Sequence, residues 1–448
     1  MTDLTMFAEE LKGTEYPISK VAANEWKSFA MYTVESRAIP NMIDGLKPVQ
    51  RFYLYSSLLN SKKDFKKVSA VSGIISDYGY NHGEASAAGA GQLMAATWNN
   101  NICLIEGRGS FGTRLVQEAG APRYVYSRVH DNFNKYIKDI DLSPIHEDPE
   151  HQPPSFYLPI IPMVLVNGTK GIATGFATNI LPHDPSDLAK ACLQYIKNNA
   201  IRTPIRVKFP DYTGDVIQSE EDSTKYISYG AFTRRGKTAV SITEVPYGFD
   251  REGYVKVLDK LEEEGDIVSY EDLCDKNGFR FEVKLKLASA KWNDSKVISK
   301  FKLSKPFAQN LTVIDFDGKL REYDDAKHLV KDFCDYRLGI LQQRIDARLL
   351  EYTEVIRWLN VKMQFIQAVL DNKITFKNQK KVDVSKMILE HTEATKNDVD
   401  RLLRINMLSL TDEMVKELER EIIEVSKTLE FWKDTTPTEQ FTTDLESL

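Results

Sequence analysis

The sequence predicts a mixed α+β, multidomain fold: a helix-turn-helix unit with a β wing, a second α+β domain, and a long antiparallel coiled-coil arm carrying a small helical tip. Three observations predict it. Between Phe65 and Trp98 two helical patterns flank a glycine-containing turn, Asp77-Tyr78-Gly79-Tyr80-Asn81-His82-Gly83. Between residues 204 and 320, short apolar strand patterns alternate with one helical pattern. From Ala326 to Asp371, and again through Leu418 to Trp432, apolar residues recur at three- and four-residue steps.

The totals bound the reading. A chain of 448 residues has room for two or three domains. No apolar run reaches the length of a membrane helix, and the first residues show no secretory pattern. Four scattered cysteines without a Cys-x-x-Cys pair fit a reducing cytosol and speak against disulfides or a zinc site. The net charge of −6 speaks against nucleic acid, but it is an average. Residues 31–130 carry eleven Lys/Arg against seven Asp/Glu, so that segment is +4 and the remainder −10. A positive segment on an acidic protein permits a polyanionic partner.

Residues 1–25 are mixed and polar, either a flexible arm or a docking segment. Trp26 to Leu59 is helical in pattern, interrupted by Ile39-Pro40-Asn41 and by the turn chemistry of Asp44-Gly45-Leu46-Lys47-Pro48. Phe65–Ser76 reads as a short amphipathic helix and Glu84–Trp98 as a second, the one a helix-turn-helix would place in a DNA major groove. That second helix is crowded with Ala85, Ser86, Ala87, Ala88, Gly89, Ala90 and Gly91. Each internal glycine costs about 1 kcal/mol against alanine, which close approach of DNA or another protein copy would offset. Asn101–Glu106 reads as a strand, with the glycine loop after it as a wing.

Residues 131–157 are loop-rich. His146 and His151 flank acidic residues, but Pro149 breaks the stretch and no helical spacing presents both to one metal. Asp139 and Asp141 lack a nearby third acid and a phosphate loop, which favours a solvated loop over a magnesium pair. Leu158–Val166 reads as an apolar strand leading to the glycine loop Asn167–Gly171, followed by Ile172. Beside Lys170, Ile172 is either a core anchor or a wedge between base pairs. Asp184-Pro185 signals a helix start, running to Lys197. The second domain has strand patterns at Ile205–Phe209, Val240–Val245, Phe279–Leu287 and Leu311–Phe316, and a helix at Tyr254–Glu264. At ~1.5 Å per residue the outgoing arm helix spans roughly 70 Å. Residues 374–411 form the tip between it and the return helix.

The chemistry points to Glu106–Ser127, centred on Ala121-Pro122-Arg123-Tyr124. A phenol with a pKa near ~10 is a poor nucleophile unless its anion is steadied. Arg123 is always charged and holds phosphate oxygens in a planar fork. Pro122 fixes a dihedral beside the pair, and Gly107, Gly109 and Gly112 let the backbone approach a ligand. From these residues alone the stretch is either an activated tyrosine beside a phosphate-binding arginine or a surface Arg-Tyr pair.

What lies around it decides. Ser36-Arg37-Ala38-Ile39-Pro40, Asp44-Gly45-Leu46-Lys47-Pro48-Val49-Gln50-Arg51, His82-Gly83-Glu84, Phe111-Gly112-Thr113-Arg114, Pro122-Arg123-Tyr124, Asn167-Gly168 with Gly171-Ile172-Ala173 and Ala177-Thr178-Asn179, and Glu244-Val245-Pro246-Tyr247 occur in order. Together they resemble the DNA breakage–reunion subunit of type IIA DNA topoisomerases, gyrase- and topoisomerase-IV-like, from about Trp26 almost to the C-terminus. The likeness is strongest to the bacteriophage branch, which implies the cytoplasm of an infected bacterium.

The resemblance implies a winged-helix domain over 26–155 after the 1–25 arm, a tower domain over 156–325, arm helices over 326–373 and 412–448, and a dimerisation tip over 374–411. It implies that Tyr124 attacks a DNA phosphodiester and stays joined to the 5′-phosphate. Arg123 and Arg37 would act on that phosphate, with His82 in the site. The implied DNA contacts are Lys47, Gln50, Arg51, Ser86, Arg128, Lys170 and Ile172, the last as the wedge that kinks the duplex. The implied partners are double-stranded DNA, a second copy meeting at the winged-helix face and the arm tip, and a large subunit carrying the ATPase and the acidic magnesium (Toprim) module. This agrees with the residues, which show no convincing acidic metal cluster and no Gly-x-x-x-x-Gly-Lys-Ser/Thr loop. Mg2+ and ATP are therefore expected on that partner.

Gln50 stands where bacterial relatives carry histidine, and Asn81 where close relatives do. Ala85 and Gly89 replace the serine and acid that anchor quinolones, so weak quinolone action is expected. The chain stops after the arm, so relaxation and decatenation are expected over negative supercoiling. Two other classes remain: an architectural DNA binder with a coiled-coil arm, and a tyrosine recombinase, whose scattered Arg, His-x-x-Arg and Tyr set is not found.

Overall fold

The computed structural model describes residues 18–448, so residues 1–17 of the expected N-terminal arm lie outside the described residues. The described residues divide into two compact units, one running to Arg337 and rejoined by Leu445–Leu448, the other Leu338–Asp444.

The first unit opens with a helical run in which α1 (Ile18–Val21) and α2 (Lys27–Thr33) alternate with wide π turns at Ala22–Trp26 and Val34–Ala38. The second wide turn closes with Ile39 N–H donating to the Val34 carbonyl, five residues back. Such turns are rare and concentrate at functional sites; this one carries Arg37. A braced loop follows: Asp44 accepts from the Leu46 and Tyr157 amides and from Arg51, so the Asp-Gly-Leu-Lys-Pro turn is held from inside. Pro48 then starts α3 (Pro48–Asn60), with Gln50 Oε1 accepting from the Lys47 amide as half of a capping box.

Strand β1 (Lys66–Lys67) and α4 (Val68–Gly73) occupy the stretch read as one amphipathic helix, because the lysines pair with β3 before the chain coils. Helix α5 (Glu84–Ala95) ends three residues short of the predicted Trp98. Strand β2 (Ile105–Arg108) begins later than predicted, and β3 (Tyr126–Val129) completes an antiparallel sheet ordered β1-β3-β2. Phe52, Ile75, Tyr80 and Ala87 form the core under the turn between α4 and α5. The small residues of α5 have two different explanations. A β-carbon on Gly91 would sit 2.2 Å from the buried Tyr53 ring of α3, so this glycine serves packing within the chain and not an outside partner. Gly89 has nothing within 4 Å.

After α6 (Asp131–Tyr136) comes the largest departure. Met163–Asn167 is not a strand but a buried one-turn helix, α7, and the predicted glycine loop is strand β4 (Thr169–Ile172), paired with β5 (Ala177–Ile180). Helix α8 (Pro185–Asn198) starts at the predicted cap, where Asp184 accepts from the Ser186 amide. The rest of the unit is α+β. Strands β6 (Val216–Gln218), β7 (Lys225–Tyr229) and β12 (Ser304–Ala308) form a sheet ordered β12-β7-β6. Strands β8 (Ala231–Arg235), β9 (Ala239–Glu244), β10 (Ile267–Asp272) and β11 (Phe281–Leu285) form another, ordered β10-β11-β9-β8. Helix α9 (Arg251–Glu263) packs Tyr254 and Leu258 on Ile242, Phe281 and Phe301. Helix α10 (Asp294–Lys300) and the hairpin β13 (Leu311–Ile314)–β14 (Leu320–Tyr323) complete it. Ile205–Phe209 forms no strand, only a bridge from Val207 to His183.

Helix α11 (Ala326–Leu370) is one 45-residue helix, as its periodicity predicted. In the second unit its predicted stripe is nowhere exposed, whereas Leu350, off the stripe, is 75 % exposed. Leu359, Phe365 and Ile366 pack with Val384 and Ile388 of α12 (Lys381–His391), Leu402 of α13 (Lys396–Leu402) and Leu418 of α14 (Asp412–Asp434). Arg401 lies 3.6 Å over the Trp358 ring. The last helix, α15 (Pro437–Glu446), follows. Among the described residues no helix is long and apolar enough to cross a membrane.

Candidate active site and nucleic-acid interface

Tyr124 sits on the turn entering β3. Its amide donates to the Ala121 carbonyl at 2.8 Å. The loop is pinned at both ends by the first amides of α4: Ser69 N–H donates to the Pro122 carbonyl and Val68 N–H to that of Val125, at 3.1 and 3.0 Å. These amides have no partner inside their own helix, so a rigid anchor is available there. The Tyr124 side chain is 69 % exposed, and its hydroxyl makes no hydrogen bond among the described residues. The Arg123 guanidinium lies 4.9 Å from the centre of its ring, and no carboxylate pairs with that arginine among the described residues.

Arg37 and His82 form a second cluster. Arg37 Nη2 is 3.4 Å from His82 Nδ1, and His82 Nε2 is 2.7 Å from the Tyr32 hydroxyl. Arg37 also lies 5.7 Å from the Tyr32 ring centre, and Tyr80 meets His82 edge-on at 5.4 Å. A cleft of about 400 Å³ opens beside them, lined by Ser36, Arg37, Tyr80, His82, Gly83 and Ser86 among others. Among the described residues no hydrogen bond or ring contact joins Tyr124 to this cluster. Tyr32 was not singled out in the sequence, where nothing links a mid-helix tyrosine to a histidine fifty positions away.

A groove of about 710 Å³ runs between the exposed face of α5 and the β4–β5 hairpin, with Lys47, Gln50, Ser86 and Lys170 on its wall. Lys47 Nζ donates to the Lys170 carbonyl at 2.8 Å, and burial pulls its ammonium below its ordinary pKa. Lys305 of β12 also went unforeseen. It stands over the Phe249 and Phe307 rings, and burial and then Lys170 lower its pKa. Ile172 is 78 % exposed at the hairpin tip and Phe176 50 %. A core anchor is therefore excluded for Ile172.

Two expected DNA contacts are differently employed. Arg51 is buried, bonded to Asp44 at 2.8 Å and to the Leu46 carbonyl at 2.6 Å, so it braces the turn and does not reach a ligand. Arg128 is bonded to Glu106, its cross-strand neighbour, at 2.7 Å, and to the Lys63 carbonyl, above the Phe65 ring. Gln50 spends its carbonyl oxygen on the helix cap. Two of the quoted motifs meet in space: Arg114 donates to Glu244 at 2.8 Å and to the Val245 carbonyl, beneath Tyr247 and Phe279. Their role is to fasten the loop after β2 to the end of β9.

The family model for the A-type subunits of DNA gyrase and topoisomerase IV matches residues 37–446. The DNA topoisomerase medium subunit of Enterobacteria phage T4 is 41 % identical over 440 residues, covering 96 % of this chain and 98 % of that protein. The mitochondrial DNA topoisomerase 2 of Dictyostelium discoideum is 26 % identical over 92 % of this chain, which spans only 33 % of that enzyme. Among solved structures, the DNA-binding, cleavage and re-ligation domain of Plasmodium falciparum topoisomerase II superposes with a TM-score of 0.84 at 26 % identity, covering 94 % of this chain and 62 % of that one. The motifs in order, the fold and these likenesses agree, and the chain belongs to the DNA gyrase/topoisomerase IV A-type family of type II DNA topoisomerases.

Proposed function

We propose that this chain is the DNA breakage–reunion subunit of an ATP-dependent type II topoisomerase, with Tyr124 as its nucleophile. The Tyr124 oxygen forms a bond to a DNA phosphorus while the bond from that phosphorus to the 3′ oxygen breaks. The phenolic proton leaves to solvent, and the departing oxygen takes one up as a 3′-hydroxyl. One phosphodiester replaces another, so the strand reseals by the reverse step without ATP. Arg123 stabilises charge on the phosphate as it becomes five-coordinate, and Arg37 is a second donor. ATP serves passage of a duplex through the gap, for relaxation and decatenation.

The observation that carries this reading is an exposed tyrosine hydroxyl beside a guanidinium with no carboxylate partner among the described residues, on a loop pinned at both ends. Residues 26–155 act as the winged-helix domain, 156–325 as the tower, and the long helices as a coiled-coil arm whose 374–411 tip dimerises. Two copies pair around a twofold axis, because two strands need two tyrosines. Lys47, Gln50 through its amide NH2, Ser86, Lys170 and Ile172 contact DNA, with Ile172 as the wedge. The cytoplasm of the infected host is the expected location.

Type II enzymes use Mg2+. Among the described residues no three His, Cys, Asp or Glu side chains gather as ligands, so this chain's residues do not fit as its resident site. We place the metal, with ATP, on the partner that carries the Toprim and ATPase modules. The test is DNA linearisation with that partner present. Tyr124→Phe should abolish it while leaving stability within about 0.5 kcal/mol, as for other exposed substitutions. A Tyr124→Phe enzyme that still cuts would overturn the reading.

A further inference from the structure

We infer that Tyr32 is a positioning residue of the cleavage site, fixing through His82 the guanidinium of Arg37; this rests on the reading that Arg37 faces the DNA phosphate. A guanidinium has five N–H donors and no acceptor. The atom 3.4 Å from Arg37 Nη2, His82 Nδ1, therefore presents its lone pair and carries no proton. In a neutral imidazole the proton is then on Nε2, which lies 2.7 Å from the Tyr32 hydroxyl, so Nε2–H donates and Tyr32 accepts.

Both nitrogens of His82 are thus engaged inside the chain. His82 has none left for a phosphate in this arrangement. Its service is to hold Arg37 on one side while Tyr32 holds it on the other. The Tyr32 hydroxyl is engaged with His82 Nε2, so it acts on Arg37 through His82. Its ring also lies 5.7 Å from the Arg37 guanidinium, which gives that side chain a second support.

Glutamine has one acceptor and one donor group, as a neutral histidine has, but cannot shuttle a proton. The experiment measures DNA binding and single-turnover cleavage by the enzyme assembled with its ATPase partner. Tyr32→Phe keeps the ring and removes the hydroxyl. It should slow cleavage about tenfold, the worth of one hydrogen bond at a reacting site, with DNA affinity within about twofold of wild type. His82→Gln should cleave far better than His82→Ala, and adding Tyr32→Phe to His82→Ala should change nothing further. Cleavage by Tyr32→Phe at the wild-type rate, an additive effect in the His82→Ala background, or His82→Gln as slow as His82→Ala would each overturn the inference. Tyr124→Phe is the control: cleavage by that variant refutes the nucleophile reading instead, so the two failures are distinguishable.

Discussion

Gly171 in β4 lies against the backbone of Ala38, where a β-carbon would fall 1.9 Å from the carbonyl oxygen. The hairpin that presents Ile172 is thereby keyed to the wide turn that presents Arg37. Gly171→Ala must move one of them. Overpacking of this kind costs about 1–3 kcal/mol. Urea denaturation should show that loss, and DNA cleavage should fall further than the stability change explains. Unchanged cleavage would mean that the two segments are not coupled.

Ile172 is 78 % exposed, so Ile172→Ala removes no core. Stability should stay within about 0.5 kcal/mol. Bending of a dye-labelled duplex by the assembled enzyme, read by energy transfer, should be largely lost if the side chain opens a base step. A full bend with alanine would remove Ile172 from that role.

Arg114 and Glu244 are both buried and joined at 2.8 Å. Glu244 also accepts from the Thr213 amide and hydroxyl. Breaking a buried pair leaves a stranded charge and costs about 3–5 kcal/mol, while replacing both partners by apolar residues is far milder. Glu244→Ala should lower the denaturation midpoint sharply, and Arg114→Met with Glu244→Leu should recover much of it. Equal losses in the single and double variants would argue against a stranded Arg114.

His183 is fully buried, with Nδ1–H directed at the Leu165 carbonyl and Nε2 without a partner among the described residues. Burial brings its pKa down from 6.5 to about 4. Above pH 6.5 folded and unfolded chains are both neutral there. As pH falls towards 4 the unfolded chain takes up a proton that the folded one refuses, so stability is lost across that window. The loss from this group is on the order of 3 kcal/mol. Half-buried His151, its pKa lowered by burial and then by His146, adds in the same direction. Thermal melts between pH 7 and pH 4 should fall, and His183→Gln should flatten the slope; an unchanged slope would contradict the assignment.

These residues show what a sequence can reveal. Asp184-Pro185 marks its helix because capping is local, and the periodicity of α11 persists over 45 residues. Val164-Leu165-Val166 misleads because a short continuous apolar run reads as a buried strand, while burial on all sides suits a one-turn helix equally. Arg51 and Arg128 are cations by sequence, and only tertiary partners show where their charge is spent. Gly91 records the Tyr53 ring, and Tyr32 finds His82 only through folding. The Arg123–Tyr124 pairing was legible because neighbours in sequence are here also neighbours in space.

The central claim is a covalent bond between one phenol and DNA. The most direct measurement traps the assembled enzyme on a duplex labelled at either end, digests both partners, and maps the nucleotide-bearing peptide by mass spectrometry. The expected product is a single adduct on Tyr124, joined to the 5′-phosphate, with a free 3′-hydroxyl on the other fragment. An adduct on any other residue, or a linkage to the 3′-phosphate, would contradict it.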